Sequence, residues 1–422
     1  MGIADIRDNF RVGHLLEGSV RMVGSRVRVS ARLVETDSET QLWSDVYERE
    51  VDDVFQIQDD IARNVLHNLE VELVEPLIKS RNVNPEARAL AQQVSEIFQA
   101  RPPDWVSRSY PLARRALELD PEYAEAVKWM TYAEWGRGHE GLITWDEANA
   151  RIEVLEGRYA ELAPESGFLD ATKGFDAERA NDFESAAGWY LAALEKELTD
   201  SEQLRFAGRF AMLVGKIEVG TRIMELCVAI DPLNHQCRRI LTQAYMYRGN
   251  PGDYRRAIEV REYYLTKATG GGPYYSMLMM LTGEPDRVAE IMAERPDPDH
   301  PQGLTYLAMA DYSAGRFDEA TAKLARIEAG LTDYREHGGN PGMEPEYLYA
   351  IAKVAAWFGD ADKAFASLMA YSESAQYSAR LEVHHPVWHK IVDDPRWLEY
   401  RRDIGMSQER LDAIEFDPWL PE

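Results

Sequence analysis

The sequence predicts a mainly α fold, a right-handed superhelical solenoid of helical hairpins, preceded by a small α/β segment. Three observations carry this. Asn181, Gly215, Gly249 and Gly283 recur 34 residues apart, each after an apolar stretch with the period of a helix. A fixed spacing of that length marks a stack of two-helix units, none of which buries its apolar face alone. Around these turn residues a second pattern repeats: a small residue five positions on, a large one four later, and a small or apolar one three after that. It occurs as Asn181, Ala186, Tyr190, Ala193; as Gly215, Gly220, Met224, Cys227; as Gly315, Ala320, Leu324, Ile327; and as Gly359, Ala364, Leu368, Tyr371. Small residues let two helices approach, and the large one fills the space beside them. Third, between Leu15 and Val51 the period changes, and apolar residues alternate with polar ones as in strands with one wet face.

In chain order, the N-terminal segment covers residues 1–80. Gly24-Ser25 suits a two-residue hairpin turn, so Leu15 to Val23 is expected to pair antiparallel with Arg26 to Glu35. A third strand, Gln41 to Arg49, follows the polar turn at 36–40. Asp52 and Asp53 can cap a helix whose apolar stripe is Val54, Ile57, Ile61, Val65 and Leu69, with Pro76 at its end. Three strands and one helix make a small core for independent stability.

The phrases LEGSVR at Leu16 to Arg21, RVRVSARLV at Arg26 to Val34, LWSDVYERE at Leu42 to Glu50 and VFQIQDDIA at Val54 to Ala62 resemble the second half of the TolB-like amino-terminal domain. In bacteria that module often precedes tetratricopeptide repeats, in the C-terminal parts of class III adenylate or guanylate cyclases and of winged-helix regulators. The resemblance implies a regulatory or assembly role, with neither catalytic nor DNA-binding part in this chain. The family's domain begins with a strand and helix upstream of Ala4. Their absence is expected to leave a sheet edge uncovered, open to self-association or to a partner, and to mark the chain as a fragment if none fills it.

Residues 85–375 resemble tetratricopeptide repeats in degenerate form. About eight hairpins are expected, beginning near residues 86, 124, 167, 201, 235, 273, 300 and 345. Pro121, Pro164 and Pro232 follow helices that they cannot continue. Insertions are expected at Gly138 to Trp145 and Asn250 to Asp253, with a glycine-rich loop from Arg335 to Gly342. Residues 376–422 form a capping segment resembling the close of TolB-like cyclase C-termini. Trp397, Leu398 and Ile404 are expected to cover the exposed end of the last hairpin.

In tetratricopeptide proteins the first helix of each hairpin lines the concave face. The resemblance places there Lys128, Tyr132 and Trp135; Phe175 and Arg179; Arg205, Arg209 and Met212; Arg239, Gln243, Met246 and Tyr247; and Met309, Tyr312, Tyr349, Lys353 and Trp357. The set is basic and aromatic, suited to an extended acidic or C-terminal peptide. The alternative is that these side chains pack on neighbouring helices or pair with local glutamates.

Asp and Glu outnumber Lys and Arg by 73 to 47, a formal charge of −26, which argues against nucleic acid or anionic lipid as a direct partner. No apolar run reaches the roughly 20 residues of a membrane span, and MGIADIRDNF lacks the regions of a signal peptide. The chain is expected to be cytoplasmic, or periplasmic if it is part of a membrane-anchored protein. Cys227 and Cys237 read as two packed thiols, with one disulfide between adjacent helices as the alternative. His384, His385 and His389 are expected at a helix start begun by Pro386, without a metal. Gly270-Gly271-Gly272-Pro273 lacks the lysine of a phosphate loop and reads as a connector. No cofactor or catalytic residue is assigned, so the expected function is non-catalytic binding of protein or peptide, or the regulatory region of a nucleotide cyclase.

Overall fold

A computed structural model describes residues 13–24, 26–50, 83–100, 104–232, 234–262, 272–293, 300–339 and 342–421, together with positions 3, 57, 60, 61, 64, 65 and 102. Its contacts divide the chain into two compact units, one of residues 1–95 and 105–155 and the other of residues 96–104 and 156–422. Among the described residues there are three strands in one antiparallel sheet and nineteen α-helices.

In the first unit β1 (His14–Val23), β2 (Arg26–Glu35) and β3 (Thr40–Glu50) lie in the order β1-β2-β3. Gly24 turns the first hairpin with φ +65°, a left-handed conformation that favours glycine. Alternation along β2 buries Val27, Val29, Ala31 and Leu33 and exposes Arg26, Arg28 and Arg32. Val27, Val29 and Tyr47 pack against Ile57, with Ile61 beside them, and Asn64 donates a hydrogen bond to the Tyr47 hydroxyl at 3.0 Å. Ile57, Ile61, Asn64 and Val65 have helical backbone. Asp52, Asp53, Val54, Leu69 and Pro76 lie outside the described residues.

The strand β1 is an edge, and on the side shared with Val27 and Val29 its Val20 and Met22 are 67% and 64% exposed. This unit also holds the hairpin of α2 (Trp105–Leu119) and α3 (Ala124–His139). Trp105 lies against Gly136, where a Cβ would stand 2.4 Å from the indole. Ala87 of α1 (Pro85–Ala100) joins Ala116 and Ala126 in a small buried cluster.

After α4 (Trp145–Leu162), the second unit stacks six hairpins. They are α5 (Phe168–Arg179) with α6 (Phe183–Lys196), α7 (Ser201–Leu213) with α8 (Ile217–Ile230), and α9 (His235–Arg248) with α10 (Pro251–Glu262). Next come α11 (Gly272–Leu281) with α12 (Arg287–Ala293), α13 (Pro301–Ser313) with α14 (Phe317–His337), and α15 (Met343–Phe358) with α16 (Ala361–Ser374). The first helices of these six hairpins begin within two residues of the starts expected at 167, 201, 235, 273, 300 and 345, whereas the helix at 124, expected to open a hairpin, is the second of the pair begun at Trp105.

The turn residues explain the period. Asn181, Gly215, Gly249, Gly283, Gly315 and Gly359 all have φ between +65° and +86°, the left-handed cap that ends a first helix and releases the second. The side-chain pattern that follows is the hairpin core: Tyr190 and Met224 are fully buried and lie against Gly174 and Gly208, which stand 34 residues apart as they do. Asp182, Asp200, Asn234 and Asp360 cap the next helices through backbone N–H groups.

Three expectations are corrected here. Cys227 and Cys237 form a disulfide between α8 and α9, with Cα atoms 6.0 Å apart. Asn250 to Asp253 is no insertion: Pro251 begins α10, and Asp253 binds Arg248 and Asn250 at the helix start. Likewise Gly138 still belongs to α3, because the close fit of its backbone against Trp145 and Ala148 keeps the helix running to His139. Of the glycine connector, Gly272 opens α11 and Gly270 and Gly271 lie outside the described residues.

Candidate polypeptide-binding groove

Beyond α16 the chain continues as α17 (Gln376–Leu381), a 3₁₀ turn at Pro386–Trp388, α18 (Pro395–Asp403) and α19 (Gln408–Ala413). These elements do more than cap an end. They run back along the face formed by the first helices of the second unit, reaching side chains on α5, α7, α9, α11, α13 and α15. Trp397 and Ile404 are buried as expected, but Leu398 is 59% exposed.

The contacts are polar where the wall is charged. Tyr377 donates to Glu178 Oε1 at 3.0 Å and accepts from Arg209 at 3.0 Å. Arg209 in turn grips Glu178 through both terminal nitrogens, at 2.7 and 2.9 Å. Burial alone would lower the Arg209 guanidinium, but Glu178 outweighs it and raises it well above the ordinary arginine value. Tyr190 donates to the same carboxylate from below at 3.1 Å, so Glu178, with a side chain fully shielded from solvent, is held by three partners.

Farther along, His384 Nε2 donates to the carbonyl of Leu213 at 3.1 Å, and burial pushes its imidazole down to about 4. His385 sits between Tyr247 and Tyr274, caps the 3₁₀ turn by accepting from the Val387 amide, and is pushed down by burial to about 3. Trp388 donates to the Glu382 carbonyl and packs near Tyr349. At the far end Phe416 meets Phe210 edge-on, and Arg410 donates to the side chain and carbonyl of Asn181. The three histidines are thus turn and packing residues; His389 bonds the Pro386 carbonyl and stands edge-on to Trp357.

Of the residues expected on the concave face, Phe175, Arg209, Tyr247, Tyr312, Tyr349 and Trp357 line this seat and touch the tail. Arg205 is buried and bidentate to Glu202, one helical turn earlier. Arg239 bonds Gln236, and burial lowers its guanidinium, as do Arg205 and Arg209 nearby. Gln243 donates to the Tyr247 hydroxyl, Arg179 rests over Phe175, and Tyr312 stacks on Phe358. Lys353 lies over Tyr349, and the Trp357 indole donates to Ser313.

Three placements are corrections: Met212, Met246 and Met309 are at most 2% exposed and belong to the hairpin core. Their positions in the repeat put them one step around the helix from the wall, where apolar side chains are drawn inward. Lys128, Tyr132 and Trp135 belong to the first unit. There Lys128 is buried beside Glu125, Tyr132 packs on Trp129, and Trp135 stacks on His139.

Sequence reasoning missed the tail as the occupant of the wall. No local spacing links Glu178 to Tyr377, which are 199 residues apart. The one available signal was composition, since the tail carries aromatic and histidine side chains far beyond what an end cap needs.

No protein-family model matches the chain. A protein of Rhizobium meliloti (strain 1021) described as "Putative adenylate cyclase 3" is 34% identical over 122 residues, covering 27% of this chain and 20% of that protein. The chain therefore spans about a fifth of the length of the curated relative it matches. Among solved structures, that of Naa15/Naa10 bound to HypK-THB is similar with a TM-score of 0.27 and 12% identity, over 77% of this chain and 58% of that one, a likeness too distant to bear on function.

Proposed function

We propose that this chain is a non-catalytic scaffold that holds polypeptide on the first-helix face of its repeats, serving assembly or signalling in a bacterium. The observation that carries the reading is the seat itself: a wall of aromatic and basic side chains on six helices already holds a polypeptide, the chain's own residues 376–416. An incoming partner exchanges with part of that tail. Acidic character in the partner suits Arg239, which bonds the neutral amide of Gln236, whereas Arg205 and Arg209 are already paired with Glu202 and Glu178. Inserting a protease site at Ala375 in the intact chain tests the seat. After cleavage the released tail is expected to stay bound and co-elute with the array; its separation at micromolar dilution, with the array still helical, contradicts the proposal.

A second reading has its own support in the likeness to the Rhizobium meliloti protein: the chain is the regulatory region of a nucleotide cyclase or regulator, its N-terminal segment a partial TolB-like module. The compartment on these readings is the cytoplasm, or the periplasm if the chain is part of a membrane-anchored protein. The exposed apolar residues of β1 then offer an edge for self-association. No helix among the described residues is long and apolar enough to cross a membrane.

A further inference from the structure

A pocket of about 250 Å³ opens where α11, α13 and α15 meet the tail, lined among others by Tyr274, Thr305, Tyr306, Tyr349, Lys353 and Glu382. Three charged side chains line it: Glu346 is half-exposed and stands 3.3 Å from His300, while Lys353 and Glu382 face the pocket without a direct ion pair between them. The Lys353 side chain is buried, and among the described residues its ammonium has no hydrogen bond or ion pair; it rests 4.0 Å from the centre of the Tyr349 ring and 5.9 Å from that of Tyr306. Glu382, from the tail, accepts a long hydrogen bond of 3.4 Å from the Tyr274 hydroxyl on Oε1, while its Oε2 is buried without a partner. The Tyr349 hydroxyl is also buried and lies beside the Glu382 carboxylate, without a well-formed hydrogen bond among the described residues.

Burial lowers the Lys353 ammonium, an effect that Glu382 partly opposes. Burial would raise the Glu382 carboxyl, but Lys353 and its other neighbours outweigh it and hold it below the ordinary glutamate value. Each charge therefore senses the other, yet among the described residues neither has a direct counter-ion. Buried charges left in this state are costly, and a ligand that supplies both missing partners is favoured by both.

We propose that this pocket binds a small zwitterion of the α-amino-acid class, with its carboxylate toward Lys353 and its ammonium toward Glu382. The size agrees, since the cavity falls below the roughly 300–1,000 Å³ of sites for drug-sized ligands. The tyrosine rings add faces that attract an ammonium group. Because Lys353 belongs to α15 and Glu382 to the tail, an occupant ties the tail to the array. The proposal stands apart from the reading of the groove as a polypeptide seat, because a pocket can fill whether or not the tail ever exchanges.

Isothermal titration of the intact chain at neutral pH with the common L-amino acids tests it, alongside each binder's deaminated and decarboxylated analogues. At least one amino acid is expected to bind at a single site, and analogues lacking either charge to bind at least about tenfold more weakly. Lys353→Met and Glu382→Gln are each expected to weaken binding by a similar factor. Should either variant fail to fold, the analogue series on the unaltered chain decides alone. Three results overturn the proposal: no binding of any amino acid up to about 10 mM, tenfold above a Kd of ~1 mM; equal affinity for a singly charged analogue; or undiminished binding in folded variants.

Discussion

Glu178 shows how single residues hold the groove together. Its carboxylate is shielded from solvent and shared among Arg209, Tyr190 and Tyr377, which come from three different elements. Removing one member of a buried ion pair leaves the other charged and unpaired, at a cost of about 3–5 kcal/mol, while losing one hydrogen bond to a charged group costs about 1.5–3 kcal/mol. Arg209→Ala is therefore expected to lower unfolding stability in urea more than Tyr377→Phe. Equal and small effects from the two substitutions would show that the carboxylate is solvated.

The capping residues were legible because only glycine and asparagine readily take a left-handed cap, so their spacing survives where the rest of the repeat has drifted. Glu178 was not legible. Nothing near it in the sequence distinguishes it from the many glutamates on solvated helix faces.

At the scale of elements, the tail is the part whose seat depends on pH. His384 and His385 are held neutral, at about 4 and about 3. A released tail takes up protons near the ordinary histidine value of 6.5, so between that value and the folded ones it binds more protons than the seated tail. The contribution of these two residues is complete above about 6.5 and is lost as pH falls toward 4 and then 3. Urea midpoints measured from neutral pH to about 5, above most carboxylate titration, are expected to fall in the native chain and to fall less in a His384→Asn, His385→Gln double variant. Identical slopes in the two proteins would remove the histidines from the account.

At the other end of the chain, β1 is, among the described residues, an edge strand with exposed apolar side chains. Sedimentation is expected to show concentration-dependent association that Val20→Lys with Met22→Lys reduces. A chain that sediments as a monomer at all concentrations contradicts that role. The strands, their register and the hairpin starts could be read from period and turn chemistry, which are local. The course of the tail could not, since it is chosen by surface complementarity between segments remote in sequence.

For the whole molecule, the account assigns binding and no catalysis. Incubated with ATP or GTP and Mg²⁺ or Mn²⁺, the purified chain is expected to form no cyclic nucleotide above background, and turnover at a rate near the ~10 s⁻¹ median of enzymes would reverse the assignment. Its strongly acidic balance of 73 to 47 is compatible with basic residues on the wall because carboxylates such as Glu178 and Glu202 stand beside them there. Arg205, Arg209, Arg239 and Lys353 are drawn to the first helices, and each is met there by a carboxylate, an amide or an aromatic ring. Most of that neutralisation comes from within the array, which is why the pattern of basic residues alone could not identify the occupant.

The central claim is that the first-helix face is a polypeptide seat filled by residues 376–416. Native-state hydrogen exchange of the intact chain tests it most directly, read at the amides of α17, α18 and α19. The account predicts protection in all three well above that of fraying termini, and a marked loss of protection in α17 when Arg209 is replaced by alanine. Exchange at the rate of an unstructured peptide across this segment, with α7 and α9 still protected, would contradict it.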